Sequence, residues 1–354
     1  MEQDGPARTR RGGSAGARGA KAADGQVAGA TPTTPGVGPV DPALFPGLAE
    51  RRRLGGPARE RWEALVASGA PILADGAMGT MLFQAGLQFG DPPEAWNLDR
   101  PDVVRGVHRA YLAAGSRILL TNTFGGNRLR MKLHGRGAMV EEINRAAAGL
   151  LRAEVDAAAT GALVAGDIGP SGEIVAPLGA LPFDEAVDVF AEQAAALAGA
   201  GVDLIWIETM SDLNEMRAAV QGVRRAAPGI PLIATMTFDT RGRTMMGVTP
   251  EQAVTALAAW GADAVGGNCG NGPDELVPVI ERMHASAPDV VLVAKSNAGI
   301  PGLVDMRAVY TTDPQTMATD GLAMRQAGAT IVGACCGSTP EHVRAIGEAL
   351  AALR

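Results

Sequence analysis

The chain has 354 residues, 47% of them hydrophobic, enough for one large domain or two small ones. Its net charge is −7 and it carries no basic-aromatic patch. This excludes a nucleic-acid surface, and no apolar run approaches the ~18–20 residues of a membrane span. Its three cysteines, an odd and sparse set, and a start without an apolar leader exclude a disulfide scaffold and predict a reducing, cytoplasmic setting.

Residues 1–55 are rich in Gly, Ala, Pro, Thr and Arg, with Phe45 as the only aromatic. Such a stretch buries too little apolar area to offset chain entropy, so a disordered tail is expected there, followed by one domain over 56–354. From about residue 60, short apolar runs alternate with amphipathic segments. The runs are 72–75, 118–122, 163–167, 204–208, 232–237, 264–268, 290–297 and 330–335. Continuous apolar runs without alternation suit parallel strands buried on both faces.

The helices between them carry start signals. Pro101 opens one, with Val104, Val107 and Tyr111 on one face and Gly115 past its end. Thr249-Pro-Glu-Gln252 reads as a capping box, and Thr339-Pro340 repeats the cap-and-proline start. Eight strand–helix units predict a (β/α)₈ TIM barrel. A doubly wound open sheet is the alternative, but Asp75-Gly-Ala-Met-Gly-Thr80 lacks the spacing of a phosphate loop after the first strand.

In such a barrel the active site lies at the carboxyl ends of the strands. Asp75, Thr121-Asn-Thr123, Asp167, Glu208, Asn268-Cys-Gly270, Lys295-Ser-Asn297 and Cys335-Cys-Gly337 all fall there, so the rim collects all three cysteines. The bland alternative is three small buried hydrophobes. As a group, Cys269, Cys335 and Cys336 would repel one another as thiolates unless a cation sat among them. Zn²⁺ suits sulfur, and three protein ligands leave its fourth position open for catalysis. Cys335 and Cys336 are adjacent, so both reach one point only if the strand has ended, which Gly337 permits. The four histidines, His108, His134, His284 and His342, read as surface residues off the rim.

An open zinc position among thiolates suits activation of an incoming thiol, because coordination removes its proton. Asp75 and Glu208 could then hold an α-ammonium, and backbone N–H groups of the Gly76–Thr80 turn an α-carboxylate. Helix capping or a rim salt bridge is the competing role for the two acids.

The ordered set Asp75-Gly-Ala-Met-Gly-Thr80, Thr121-Asn-Thr-Phe124, Gly166-Asp-Ile-Gly-Pro170, Glu208-Thr209, Gly267-Asn-Cys-Gly270, Asn297-Ala-Gly299 and Gly333-Ala-Cys-Cys-Gly337 resembles the homocysteine S-methyltransferase family, over about residues 65–353. The resemblance implies a TIM barrel in which Cys269, Cys335 and Cys336 hold one zinc. It implies that Asp75 and Glu208 bind the homocysteine amino group, with Gly76 and Thr121 in the same pocket. Asn297 matches a candidate resting ligand of the metal. Ser296 departs from the family's Lys-Pro-Asn-Ala-Gly pattern, which has proline there.

Methyl transfer to homocysteine, giving methionine, is the expected activity. Betaine-using members carry tyrosines where this chain has Gly125 and Thr209, and Trp96 alone is no cage for a quaternary ammonium. The Gly267–Pro273 segment is most similar to the methionine synthase version, yet the chain holds no corrinoid module. A methyl-cobalamin on a separate corrinoid protein is therefore the expected donor, ahead of S-methylmethionine and then betaine. Two other classes compete: a Schiff-base aldolase using Lys295, and a non-enzymatic zinc- or thiol-sensing barrel.

Overall fold

The computed structural model describes residue 1, residues 44–304 and residues 307–353. Each of the eight apolar runs contains a strand. In chain order these are β1 (Ile72–Leu73), β2 (Ile118–Leu120), β3 (Leu163–Ile168), β4 (Leu204–Met210), β5 (Leu232–Met236), β6 (Ala264–Cys269) and β7 (Leu292–Ser296). An antiparallel hairpin of β8 (Gly302–Val304) and β9 (Arg307–Val309) follows, then β10 (Ala329–Ala334). The parallel sheet runs β1-β10-β7-β6-β5-β4-β3-β2. A bridge between Ala74 and Ile118 closes it, with Arg117 N donating to Leu73 O at 2.7 Å. The result is a (β/α)₈ TIM barrel.

Strand side chains alternate in direction, and the packing follows that period. Ile72, Ala74, Ile118, Leu120, Leu163, Ala165, Leu204, Trp206, Ile233, Ala264, Val293 and Ile331 form one buried cluster inside the barrel. Their neighbours Leu119, Val164, Ile205, Leu232, Val265, Leu292 and Val332 join the second cluster, under the helices. Continued past the apolar layers, the inward parity reaches Asp167, Glu208, Thr235, Asn268, Lys295 and Cys335. The mouth is polar because the same alternation that fills the barrel changes residue type at its upper end.

The anticipated caps are present. Thr249 and Gln252 form the capping box, and Val104, Val107 and Tyr111 are buried on the helix Pro101–Ala113. Two expectations are corrected. His108 has no exposed surface and burial holds it down at about 3, while His342 is buried and its Nδ1 accepts from Thr339 N at 3.1 Å. Neither is a surface residue; the helix faces that carry them are inward ones.

The disordered tail expected over 1–55 lies, for residues 2–43, outside the described residues. From Leu44 onward the chain is instead ordered. The helix Leu48–Ala67, kinked at Gly56 (φ 51°) before Pro57, closes the lower end of the barrel. Its Trp62 joins the interior cluster, and Phe45 stacks on Trp260 with centroids 6.4 Å apart. Arg59 forks onto Asp263 at 2.9 and 3.0 Å and donates through Nε to Gly229 O at 3.0 Å. Composition hid this segment because its anchors are two aromatics and the stems and heads of arginines, not an apolar stripe. Among the described residues no helix is long and apolar enough to cross a membrane.

Candidate metal and substrate site

Ser296 links the strands that bring the cysteines together. It is registered with Cys269 of β6 on one side and with Ala334 of β10 on the other. The three sulfurs consequently converge: Cys269 Sγ lies 2.7 Å from Cys335 Sγ and 4.0 Å from Cys336 Sγ, and all three lie within 4.8 Å of one another.

The adjacency of Cys335 and Cys336 is resolved as anticipated. β10 ends at Ala334, and the chain then turns, with Ser338 N donating to Cys335 O at 3.2 Å. Gly337 has φ 82°, and a Cβ there would fall 2.1 Å from the Tyr310 ring. Cys269 itself sits at φ 58°, an unfavourable backbone for a side-chain-bearing residue. That departure swings a residue of outward parity toward the mouth. The thiols share charge unequally. Hydrogen bonding with Cys269 and Cys335 holds Cys336 down at about 3, and hydrogen bonding with Cys335 and Cys336 pushes the Cys269 thiol well above the usual range.

Below the sulfurs lies an acidic floor. Asp75 Oδ1 pairs with Lys295 Nζ at 2.9 Å, and Oδ2 accepts from Leu120 N at 2.8 Å. Lys295 also stands 5.1 Å from the centroid of the Trp206 ring. Burial opposes its charge, but Asp75, Glu208 and Cys335 together hold its ammonium above the ordinary value. Glu208 is pushed up to about 8 by burial, in spite of Lys295. Asp167 is raised well above the carboxylate range by burial and then by the charge of Glu208. Asp75 is raised by burial as well.

A hydrogen-bonded ladder supports this floor. Trp206 Nε1 donates to Thr235 Oγ1 at 3.1 Å, Thr235 donates to Asn268 Oδ1 at 2.8 Å, and Asn268 Nδ2 reaches Thr209 Oγ1 at 2.7 Å. Thr209 has φ 65°, so the backbone after Glu208 is strained and is held by its N–H bond to Asn268 at 2.9 Å. Thr121 Oγ1 accepts from Asp167 N at 3.0 Å.

The expected site residues therefore gather in one mouth. Gly76 packs where a Cβ would lie 2.6 Å from Ser338 Oγ and 2.9 Å from Tyr111. Ala77 N in the same turn is already bound by Ser338 Oγ at 3.0 Å. Asn297 Nδ2 donates to Gly270 O at 2.6 Å, and its buried Oδ1 has no partner among the described residues. Asp167 and Asn268 were at the strand ends in the sequence but had no role assigned. Their inward parity with Glu208 was the signal that could have found them.

A profile described as homocysteine S-methyltransferase matches residues 72–350. The methionine synthases of Mycobacterium leprae and Mycobacterium tuberculosis are 32% and 33% identical to this chain over 297 and 300 residues. The matches cover 79% and 80% of this chain and 24% and 25% of those proteins, so the chain spans about a quarter of the length of these curated relatives. The metallated homocysteine methyltransferase MmuM of Escherichia coli is similar in fold, with a TM-score of 0.68 and 23% identity, over 81% of this chain and 99% of that one.

Proposed function

The chain belongs to the homocysteine S-methyltransferase family, and on that premise we propose that it methylates the thiolate of homocysteine, giving methionine, with one zinc held by Cys269, Cys335 and Cys336. The observation that carries this reading is the convergence of three sulfurs within 4.8 Å above a floor with more carboxylates than cations. Three soft donors fit Zn²⁺, and the buried, unpartnered Oδ1 of Asn297 fits a resting ligand. When bound, zinc supplies the charge that lets a thiol lose its proton near neutral pH.

The residues of the chain do the rest. The acidic floor, with Asp75 and Glu208, attracts the ammonium end of the amino acid. Gly76 keeps the first turn close to Ser338, and Thr121 braces β3 through Asp167 N. Burial of the floor strengthens these contacts, because an ion pair gains where water is excluded.

For the donor, the reading favours a methyl-corrinoid on a separate protein, then S-methylmethionine, then betaine. Two observations count against betaine. Arg100 stacks over Trp96 at 4.9 Å, occupying the face a quaternary ammonium would need. A side chain at Gly125 would begin 2.9 Å from Glu94 Oε1, the acceptor of Gly125 N, so a ring there would have to displace that carboxylate. The aldolase alternative loses its nucleophile, since Lys295 is buried, ion-paired and held protonated.

The test is one assay: zinc-loaded protein with homocysteine and, in turn, methylcobalamin, S-methylmethionine and betaine, with methionine measured. Turnover with methylcobalamin is expected, and no methionine from any donor would overturn the reading.

A further inference from the structure

Two residues of the mouth hold backbones that their types disfavour. Thr209 is at φ 65° and Cys269 at φ 58°. A side-chain-bearing residue is uncommon there, and a β-branched one is an outlier. The two stand on β4 and β6, which β5 separates. Thr209 directly follows Glu208, at the ammonium end of the site. Cys269 is one of the sulfurs at the metal end.

The first departure is a bulge. Ile207 is registered with Ala234 and Met210 with Met236, so Glu208 and Thr209 of β4 stand opposite the single Thr235 of β5. An extra residue of this kind re-aims a side chain and disrupts the ladder. One side chain repairs the disruption. Asn268, 1% exposed and adjacent to Cys269, accepts at Oδ1 from Thr209 N at 2.9 Å and from Thr235 Oγ1 at 2.8 Å. Its Nδ2 donates to Thr209 Oγ1 at 2.7 Å and reaches Glu208 Oε2 at 3.5 Å. A backbone N–H only donates, so the Thr209 bond fixes which way the amide faces. The Asn268 carbonyl accepts from Thr237 Oγ1 at 3.1 Å, which ties the same residue to β5 a second time. Both ends of the amide are thus committed to β4 and β5, and neither is left for a substrate.

We propose that Asn268 is a positioning residue that fixes the separation between the metal end and the ammonium end of the site, and that this separation selects the chain length of the amino-acid thiol. The assignment rests on the homocysteine reading above. A thiol held at both ends must span them. Cysteine is one methylene shorter than homocysteine, and a site reads that difference only if its two ends cannot move toward each other. Asn268 supplies that rigidity, because one short side chain joins the residue after Glu208 to the residue before Cys269. It also holds Thr209 in a backbone that Thr209 would otherwise leave.

The experiment is calorimetric binding of homocysteine and of cysteine to the zinc-loaded full chain. Zinc content and melting temperature are measured on the same samples. Wild type should prefer homocysteine. Asn268→Ala releases Thr209 and lets Glu208 move, so homocysteine should weaken by roughly tenfold or more, as when a charge-assisted hydrogen bond is lost. Cysteine is too short to engage Glu208 with its sulfur on the metal, so its affinity should hardly change and the preference should collapse. Zinc should stay stoichiometric, because the three sulfurs remain. The double variant Asn268→Ala/Thr209→Gly should regain most of the preference, since glycine takes a positive φ without steric cost. An added glycine would worsen a merely structural defect.

An unchanged preference in Asn268→Ala would overturn the proposal. So would a double variant no better than Asn268→Ala, or loss of zinc from Asn268→Ala, which would make Asn268 a support of the metal end alone. If Asn268→Ala does not fold, Thr209→Val decides by the same ratio. It removes only the Oγ1 contact, so it should lower the preference, and an unchanged ratio there overturns the proposal equally. A wild type that binds both thiols equally would instead bring down the homocysteine reading itself.

Discussion

The two ends of the barrel carry opposite charge imbalances and treat them differently. At the lower end Arg51, Arg59 and Arg224 surround the single buried carboxylate of Asp263, at 3.6, 2.9 and 3.5 Å, with the partly exposed Glu63 3.9 Å from Arg59. At the mouth three buried carboxylates, Asp75, Asp167 and Glu208, share one buried ammonium, that of Lys295, which is paired with Asp75. Below, backbone carbonyls complete the set: Arg51 donates to Pro46 O, Arg59 to Gly229 O and Ile230 O, and Arg224 to Ile230 O and Gly261 O. Apart from the Nε atoms of Arg51 and Arg224, those cations are satisfied by the protein. Above, Asp167 Oδ1 is left open. The same three-to-one ratio is thus a closed structural joint at one end and an incomplete coordination shell at the other. Unmatched charge marks a binding site only where the fold has not supplied the missing partners.

Substitutions at the two ends should therefore separate function from stability. The largest effect belongs to the sulfurs. Cys335→Ala should lose zinc retention and reduce methyl transfer at least about a thousandfold, as expected when the group that activates the nucleophile is gone. The melting temperature of the metal-free protein should hardly move, because the barrel core lies below the rim. Stoichiometric zinc at full rate in Cys335→Ala would remove the three-thiolate site.

The next effect is at the lower end, with the pattern reversed. Asp263→Asn leaves three buried guanidiniums without their carboxylate, a loss of about 3–5 kcal/mol. At about 2–4 °C per kcal/mol for a domain of this size, that is a drop of roughly 10 °C. Homocysteine affinity of the folded protein should be unchanged. Equal losses of stability and affinity would mean that the two ends are coupled and the comparison fails.

Much of this was legible before any coordinates. The eight barrel strands and the Thr249 capping box followed from apolar runs and the Thr-Pro start, because burial on both faces and helix capping are local in sequence. The convergence of Cys269, Cys335 and Cys336 followed from their shared place at strand ends. What escaped was relational. That Lys295 satisfies Asp75 depends on residues 220 positions apart meeting across the barrel. That Phe45 and Arg59 anchor the N-terminal helix depends on Trp260 and Asp263, which composition around residue 50 cannot reveal. His108 misled for a related reason: a histidine on a helix reads as exposed until the buried face of that helix is known.

The smallest expected effect isolates what makes the lower joint strong. Glu251 and Arg282 form a two-pronged ion pair on the surface, at 2.7 and 2.8 Å, as short as any contact around Asp263 except that of Arg224 with Ile230 O. Their side chains are 42% and 41% exposed, however, so water and salt screen them. The Arg282 bond holds the Glu251 carboxyl down at about 2. A lowered folded-state value means that the contribution is present above the unfolded value of 4.5 and is lost as the pH falls toward 2. An exposed pair of this kind contributes at most about 1 kcal/mol. Glu251→Gln should therefore lower the melting temperature by no more than about 2–4 °C at pH 7. The difference from wild type should shrink in high salt and vanish near pH 2. Thermal melts of Glu251→Gln and Asp263→Asn, across pH and at two salt concentrations, make the measurement. A salt-insensitive loss at Glu251 as large as that at Asp263 would mean that pairing geometry, and not exclusion of water, gives the lower end its strength.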